Sequence, residues 1–213
     1  MIKVDFFTFS PIAENTYLLS NEKGDTFIID PGCYFSGEEE ELKKNIDSRK
    51  LNVVKLLNTH CHLDHVFGNH WVHKNYGLEL YLHPSEEKLL QLAPASGNMY
   101  GLPFTNYAGP LHFINENEKI FLGDDVLETI LAPGHSPGSL CFYCRKQKFL
   151  IGGDVLFYES IGRTDLPGGN QEQLLKSIKE KIFVLPDETI VYPGHGEPTT
   201  IGHEKKYNPF LQA

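Results

Sequence analysis

The segment Thr59-His60-Cys61-His62-Leu63-Asp64-His65 places three imidazoles and a carboxylate within six consecutive positions. It follows Val53 to Leu57, an apolar run that reads as a strand ending at Asn58-Thr59. A strand end is a rigid platform, and the loop beyond it can turn several side chains towards one point. Imidazole and carboxylate are ligand types for zinc, iron and manganese. Further candidates stand beside glycine at other expected strand ends. They are His135 in Pro133-Gly134-His135-Ser136-Pro137-Gly138, Asp154 in Gly152-Gly153-Asp154, and His195 in Pro193-Gly194-His195-Gly196. Glycine lets backbone approach a crowded centre. Seven donors result: His60, His62, Asp64, His65, His135, Asp154 and His195. One ion takes three or four protein ligands, so this number suits two ions sharing a bridging carboxylate.

No second catalytic constellation competes with this set. Cys141 and Cys144 form a C-x-x-C, but within Ser139-Leu140-Cys141-Phe142-Tyr143-Cys144, which reads as a strand. Residues three apart on a strand face opposite ways, so both are expected as core thiols. Cys61 is expected to point away from the ligands beside it. His70, His73, His83, His112 and His203 are expected as surface or capping residues, and Phe6, Phe7, Phe9, Phe27 and Trp71 as core.

Positioning these donors falls to a chain that alternates strands and helices. Strands are expected at Ile2 to Phe9, Asn15 to Leu19, Asp25 to Ile29, Val53 to Leu57, Leu78 to Leu82, Lys119 to Leu122, Val126 to Leu131, Cys141 to Tyr143, Phe149 to Ile151 and Thr189 to Tyr192. Helices are expected after Glu38, around Val66 to Lys74, at Ser85 to Leu92 and at Gln171 to Ile182. Hairpins accompany the crossovers, which implies an α/β (α+β) chain with mixed sheets. Ala93 to Pro110, rich in Gly, Pro, Asn and aromatics, reads as a long loop. A loop of that kind is often a lid, whose aromatics here would be Tyr100, Phe104 and Tyr107.

Composition narrows the function. The 213 residues carry 19 Lys+Arg against 28 Asp+Glu, a formal charge of −9, which argues against a nucleic-acid binder. With 40% hydrophobic and 12% aromatic residues the chain is expected to fold rather than stay disordered. No stretch approaches the roughly 20 apolar residues of a membrane span. Met1 to Ser10 includes Lys3 and Asp5 and lacks a secretory apolar core, so a cytoplasmic location without membrane partners is expected.

The H-x-H-x-D-H motif, followed by Pro-Gly-His, Gly-Asp and a late Gly-His-Gly, resembles the metallo-β-lactamase superfamily. Within it, Ile161-Gly162-Arg163-Thr164-Asp165-Leu166-Pro167-Gly168-Gly169 resembles short glyoxalase II-like (hydroxyacylglutathione hydrolase-like) thioesterases. The resemblance covers Thr16 to Pro198 and implies an αββα sandwich of two mixed β-sheets flanked by helices, with metals at one edge. It implies a first ion on His60, His62 and His135, and a second on Asp64, His65 and His195, with Asp154 bridging. Asp30, ending Phe27-Ile28-Ile29-Asp30, matches a position that supports the motif loop from behind. Only 17 residues follow Gly196, so residues 1–213 are expected to form one domain without the C-terminal helical domain of longer glyoxalase II enzymes.

Two divalent ions about 3.5–4 Å apart lower the pKa of a bridging water towards neutrality, which makes hydroxide the expected nucleophile, with Asp64 and Asp154 beside it. A leaving thiol, with a free pKa of about 8.5, departs without the protonation that an alkoxide or amide requires. The expected enzyme is therefore a hydrolase of small thioesters such as lactoylglutathione. Zinc is the first choice of ion, with iron or manganese as alternatives. Arg163, in the Gly-rich segment after Asp154, is expected to bind a substrate carboxylate, with an ion pair to Asp165 as the alternative. Rival activities are a mononuclear iron persulfide dioxygenase, using His60, His135 and Asp154, and a lactonase-type metallohydrolase.

Overall fold

In the computed structural model, which describes residues 1–212, the layering follows from where burial falls along the strands. β1 (Lys3–Phe9), β2 (Glu14–Ser20) and β3 (Asp25–Ile29) pair antiparallel in sequence order. β4 (Asn52–Leu57), β5 (Leu80–Leu82) and β6 (Leu111–Phe113) then add in parallel to complete the first sheet. Every residue of β2 is buried, so both faces of this sheet are covered. Tyr17, Leu19, Phe27 and Ile29 face one way, into a core shared with Leu127, Leu140, Phe142 and Ile151. Leu18, Ile28 and Leu56 face the other way, onto Leu42, Ile46, Val72 and Leu90. This is the period of two expected of a pleated strand.

The second sheet holds β7 (Lys119–Leu122), β8 (Asp125–Leu131), β9 (Leu140–Cys144) and β10 (Phe149–Gly153), all antiparallel neighbours. After a small hairpin of β11 (Leu156–Phe157) and β12 (Ser160–Ile161), β13 (Ile190–Pro193) pairs parallel with β10, and β14 (Thr199–Thr200) closes the edge. α1 (Ser36–Ser48), the short α2 (Leu63–Val66), α3 (Asn69–Tyr76) and α4 (Glu87–Met99) belong to the first half of the chain. α1, α3 and α4 cover the outer face of the first sheet. α5 (Gln171–Ser177) and α6 (Ile201–Tyr207) supply Leu174 and Ile201 to the outer face of the second, against Cys141, Tyr143, Leu150 and Val191. The result is the αββα sandwich with two mixed sheets. Cys141 and Cys144 are buried free thiols in different cores, on opposite faces of β9. Among the described residues no helix is long and apolar enough to cross a membrane.

Several expectations need correction. Val66 to Lys74 is two helices, because the chain turns at Phe67-Gly68. The helix from Gln171 widens after Ser177 into a π-helical turn, Ile178–Ile182. Phe6 is 38% exposed rather than core, since β1 is an edge strand. The stretch from Ala93 is not all loop: α4 runs through it to Met99 with Pro94 inside. Proline lacks the N–H that would bond the carbonyl four residues back, here Leu90. Asn106 Nδ2 donates to the Leu90 carbonyl at 2.7 Å and replaces it.

Asn106→Ala should therefore destabilise the fold by about 1 kcal/mol, the usual cost of an orphaned acceptor. Adding Pro94→Ala restores a donor within the helix and should recover most of the loss. Equal urea midpoints for Asn106→Ala and the parent would contradict this account.

Candidate metal centre

β3 and β4 run parallel, and so do β8, β10 and β13, so their C-terminal ends open along one edge of the sandwich. β3 leads into Asp30, β4 into His60, β8 into His135, β10 into Asp154 and β13 into His195. Contacts between the sheets close this edge. The Leu140 N–H donates to the Thr59 carbonyl at 2.8 Å, and the Asn15 N–H to the Gly194 carbonyl at 2.7 Å. Tyr17 Oη donates to the Pro193 carbonyl at 2.5 Å, and Asn15 Nδ2 to the Gly196 carbonyl at 2.8 Å.

Among the seven donors, atoms meet in two groups, His60 with His62 and His135, and Asp64 with His65 and His195, each within 4.8 Å; a third group of the same span joins Asp30 to His60 and His65. Asp154 lies between the first two. Its Oδ1 is 3.4 Å from His65 Nε2, and its Oδ2 is 3.4 Å from His135 Nε2 and 3.6 Å from His195 Nε2. Asp64 Oδ2 is 3.1 Å from His195 Nε2. A Cβ at position 194 would sit 2.1 Å from Asp154 Oδ1 and 2.7 Å from His65 Cε1, so only glycine admits this approach. All seven donors singled out from the sequence are thus brought together.

The opposite side of each ring explains which nitrogen faces inward. His135 Nδ1 donates to the Arg163 carbonyl at 2.7 Å, His195 Nδ1 to the Ala13 carbonyl at 3.0 Å, and His65 Nδ1 to Asp30 Oδ2 at 3.0 Å. The Thr59 hydroxyl gives its proton to Asp30 Oδ2 at 2.5 Å, so its oxygen accepts His60 Nδ1–H at 3.1 Å. The Nε2 lone pairs of His60 and His135 consequently face each other at 3.2 Å, with His62 Nδ1 2.8 Å from His135 Nε2. Opposed lone pairs repel unless a cation or proton lies between them. His65 Nε2 and Asp154 Oδ1 are buried without a hydrogen-bond partner among the described residues. Orphaned buried donors on a histidine–carboxylate set fit metal ions.

Electrostatics divides the groups. Burial, reinforced by neighbouring imidazoles, holds His60 well below the ordinary histidine range, and pushes His62 down to about 3. Burial also lowers His135, against the pull of Asp154. All three rings are thus biased towards the neutral form, the one in which imidazole binds a metal. Burial opposes charge on His65 too, but Asp154 and Asp64 outweigh it and raise His65 well above its usual value. His195 is raised the same way, burial being overcome by Asp64 and Asp154. For Asp154, burial is overcome by His65, His135 and His195, which hold the carboxyl well below its usual range.

Other sequence candidates lie nearby in different settings. Asp30 accepts from the Thr59 N–H at 2.7 Å and Asn58 Nδ2 at 3.1 Å besides the contacts above, so it stands behind the motif loop. The Arg163 guanidinium is exposed and forks onto both Asp165 oxygens at 2.7 Å. Of the supposed lid aromatics, Tyr107 is buried, its hydroxyl donating to the Pro110 carbonyl and accepting the Leu80 N–H. Tyr100 is exposed. Phe104 packs on Phe67, beside a cavity of about 320 Å³ shared with Tyr34 and Trp71. Two buried carboxylates, Glu14 and Glu86, were missed. Neither Ala13-Glu14-Asn15 nor Ser85-Glu86-Glu87 differs in sequence from an ordinary surface stretch.

The chain has known relatives. The chain is 40% identical over 204 residues to a probable metallo-hydrolase, YqgX, of Bacillus subtilis, covering 94% of this chain and 93% of that one. It is 36% identical over 214 residues to the hydroxyacylglutathione hydrolase GloC of Haemophilus influenzae, covering 100% and 99%. Among solved structures, the B3 metallo-β-lactamase BLEG-1 matches with a TM-score of 0.91 at 37% identity, over 99% of this chain and 100% of that one. TTHA1623 in a di-iron-bound form matches with 0.89 at 35% identity, over 97% and 100%. Residues 10–195 match the Metallo-beta-lactamase superfamily, and the chain belongs to it.

Proposed function

We propose that this chain is a dinuclear metal-dependent hydrolase of small thioesters, of the glyoxalase II type. The observation that carries the two-ion reading is the position of Asp154 between the groups, with Oδ1 3.4 Å from His65 Nε2 and Oδ2 3.4 Å from His135 Nε2 and 3.6 Å from His195 Nε2. His60, His62 and His135 would hold the first ion, Asp64, His65 and His195 the second, and Asp154 both. Zinc is our first assignment, with iron supported by the di-iron form of TTHA1623. Divalent ions bound there would supply Lewis acidity, polarising a carbonyl and making water nucleophilic near neutral pH. The protein's part is orientation: the Arg163 and Ala13 carbonyls and the Thr59 hydroxyl fix the rings, and Asp30 fixes His65. No residue need protonate a thiolate leaving group. The thioester reading is supported by the full-length similarity to GloC and by the Ile161 to Gly169 segment.

Metal-quantified protein tested on thioesters of glutathione and of other thiols should hold two ions per chain and hydrolyse at least one thioester efficiently. Asp154→Ala should lose affinity for both ions. A β-lactam belongs in the panel because BLEG-1 is named a B3 metallo-β-lactamase. One tightly held iron with oxygen uptake on a persulfide would replace hydrolysis by dioxygenation.

Metal uptake must also displace the protons that Asp64 and Asp154 hold on His65 and His195. Because both imidazoles are raised, they are charged below their folded pKa values, and ion affinity should fall as pH falls. Titration with zinc in weak buffer should release about one proton or more per chain. Release of none at pH 7 would contradict the assignment of these histidines.

Arg163 is proposed to take a substrate carboxylate, exchanging one exposed carboxylate partner, Asp165, for another. Exposed ion pairs contribute little to stability, so this exchange is easy. Alanine keeps the backbone carbonyl that orients His135. Arg163→Ala should therefore raise KM for anionic thioesters with metal content and Tm unchanged, and an unchanged KM would remove the role.

A further inference from the structure

Glu86 is fully buried where the 3₁₀ turn Pro84–Glu86 meets α4. Its Oε2 accepts the Cys61 N–H at 2.8 Å, while its Oε1 accepts the Gly138 N–H at 2.6 Å and the Ser136 hydroxyl. Cys61 stands between His60 and His62, and Ser136 follows His135 directly. One carboxylate thus grips both loops that carry the first donor group, although those loops leave different sheets. A Cβ at position 138 would lie 2.8 Å from Glu86 Cγ and 2.8 Å from His83 Nδ1, so glycine is what lets this loop come close. The second group is held otherwise: His65 by Asp30, His195 by the Ala13 carbonyl.

We propose that Glu86 is a positioning residue for the ion site of His60, His62 and His135, and not for that of Asp64, His65 and His195. This rests on the two-ion reading above. Three donors converging on two oxygens leave the carboxylate little freedom, and charge-assisted bonds of this kind are among the stronger ones. The loops it joins set the separation of imidazoles that must agree to about 0.5 Å for an ion to be held well. Glutamine would fill the same volume, but its amide carries a single acceptor oxygen. An N–H donor would then face either Cys61 N–H or Gly138 N–H, with both atoms donating.

The test measures zinc and cobalt affinity by equilibrium dialysis of metal-free parent, Glu86→Gln, His60→Ala and His195→Ala. Absorption of the cobalt form and the Tm of the metal-free form are recorded alongside. Glu86→Gln should weaken the ion lost in His60→Ala by about 10–100-fold, the usual effect of removing support behind ligands. It should leave the ion lost in His195→Ala at parental affinity and alter the cobalt bands of the first site alone. If the parent binds only one ion, or if His60→Ala and His195→Ala both retain two, the assignment of two ions to these donors fails whatever Glu86 does. If each loses one ion while Glu86→Gln binds both like the parent, the Glu86 proposal is overturned. Equal weakening of both sites would also overturn it, because it would mark general support of the fold. Should Glu86→Gln not fold, Ser136→Ala removes one donor and no ligand. It should weaken the first site alone, and parental affinity there would overturn the proposal.

Discussion

Asp30 receives four donors on one buried carboxylate: the Thr59 N–H and hydroxyl, Asn58 Nδ2 and His65 Nδ1. Its backbone adopts a left-handed φ of 49°, which aspartate tolerates better than most residues. Each contact passes an orientation onward. Thr59, having given its hydroxyl proton to Asp30, receives that of His60 Nδ1 and leaves His60 Nε2 facing the centre. Asn58 donates also to the His65 carbonyl and accepts from Asn69, the first residue of α3. The motif loop and the start of the helix after it are therefore referred to one strand end. Without this carboxylate, three imidazoles in sequence would be a polar turn whose rings had no reason to agree.

The parallel pairing of β3 with β4 and of β10 with β13 extends the same constraint to the other sheet. Parallel neighbours finish at the same edge, so residues far apart in sequence arrive together without long connecting loops. β2 then joins the halves, because Asn15 and Tyr17 hydrogen-bond to the carbonyls around His195. These contacts satisfy buried backbone acceptors that an irregular loop would otherwise leave unpaired. Stability and placement of the site come from the same bonds.

The donors were legible because their residue types are uncommon beside one another and follow strong apolar runs. Asp154 was readable for the same reason, as a lone carboxylate after Gly152-Gly153. Strands buried on both faces were legible through their apolar density, whereas β6, β11, β12 and β14 were not. These have two or three residues each, and sheet pairing rather than local pattern defines them. α4 was cut short because Pro94 is a poor helix residue unless something replaces its N–H, and the replacement, Asn106, lies 12 residues further on. Glu86 and Glu14 were invisible for a related reason. A glutamate is marked as internal only by partners that the fold brings from elsewhere, and no periodicity announces them.

Charge balance gives the arrangement its final logic. Glu14, Asp30, Asp64, Glu86 and Asp154 are all buried at or behind this edge, and among the described residues none of them pairs with a lysine or arginine there. Burying so much negative charge is costly unless cations or protons answer it. For Glu14, burial, together with Asp30 and Asp64, raises the carboxyl well above the usual range against the pull of His65. For Asp64 and Asp154 burial is overcome by the neighbouring imidazoles, which hold both carboxyls below their usual range. His65 and His195 can take protons but return them when a stronger Lewis acid arrives, while His60, His62 and His135 hold almost none to return. Divalent ions on both groups would thus meet two different sites, one of neutral nitrogens and one already charged. Asp154, the carboxylate nearest both, is where the difference between them is shared.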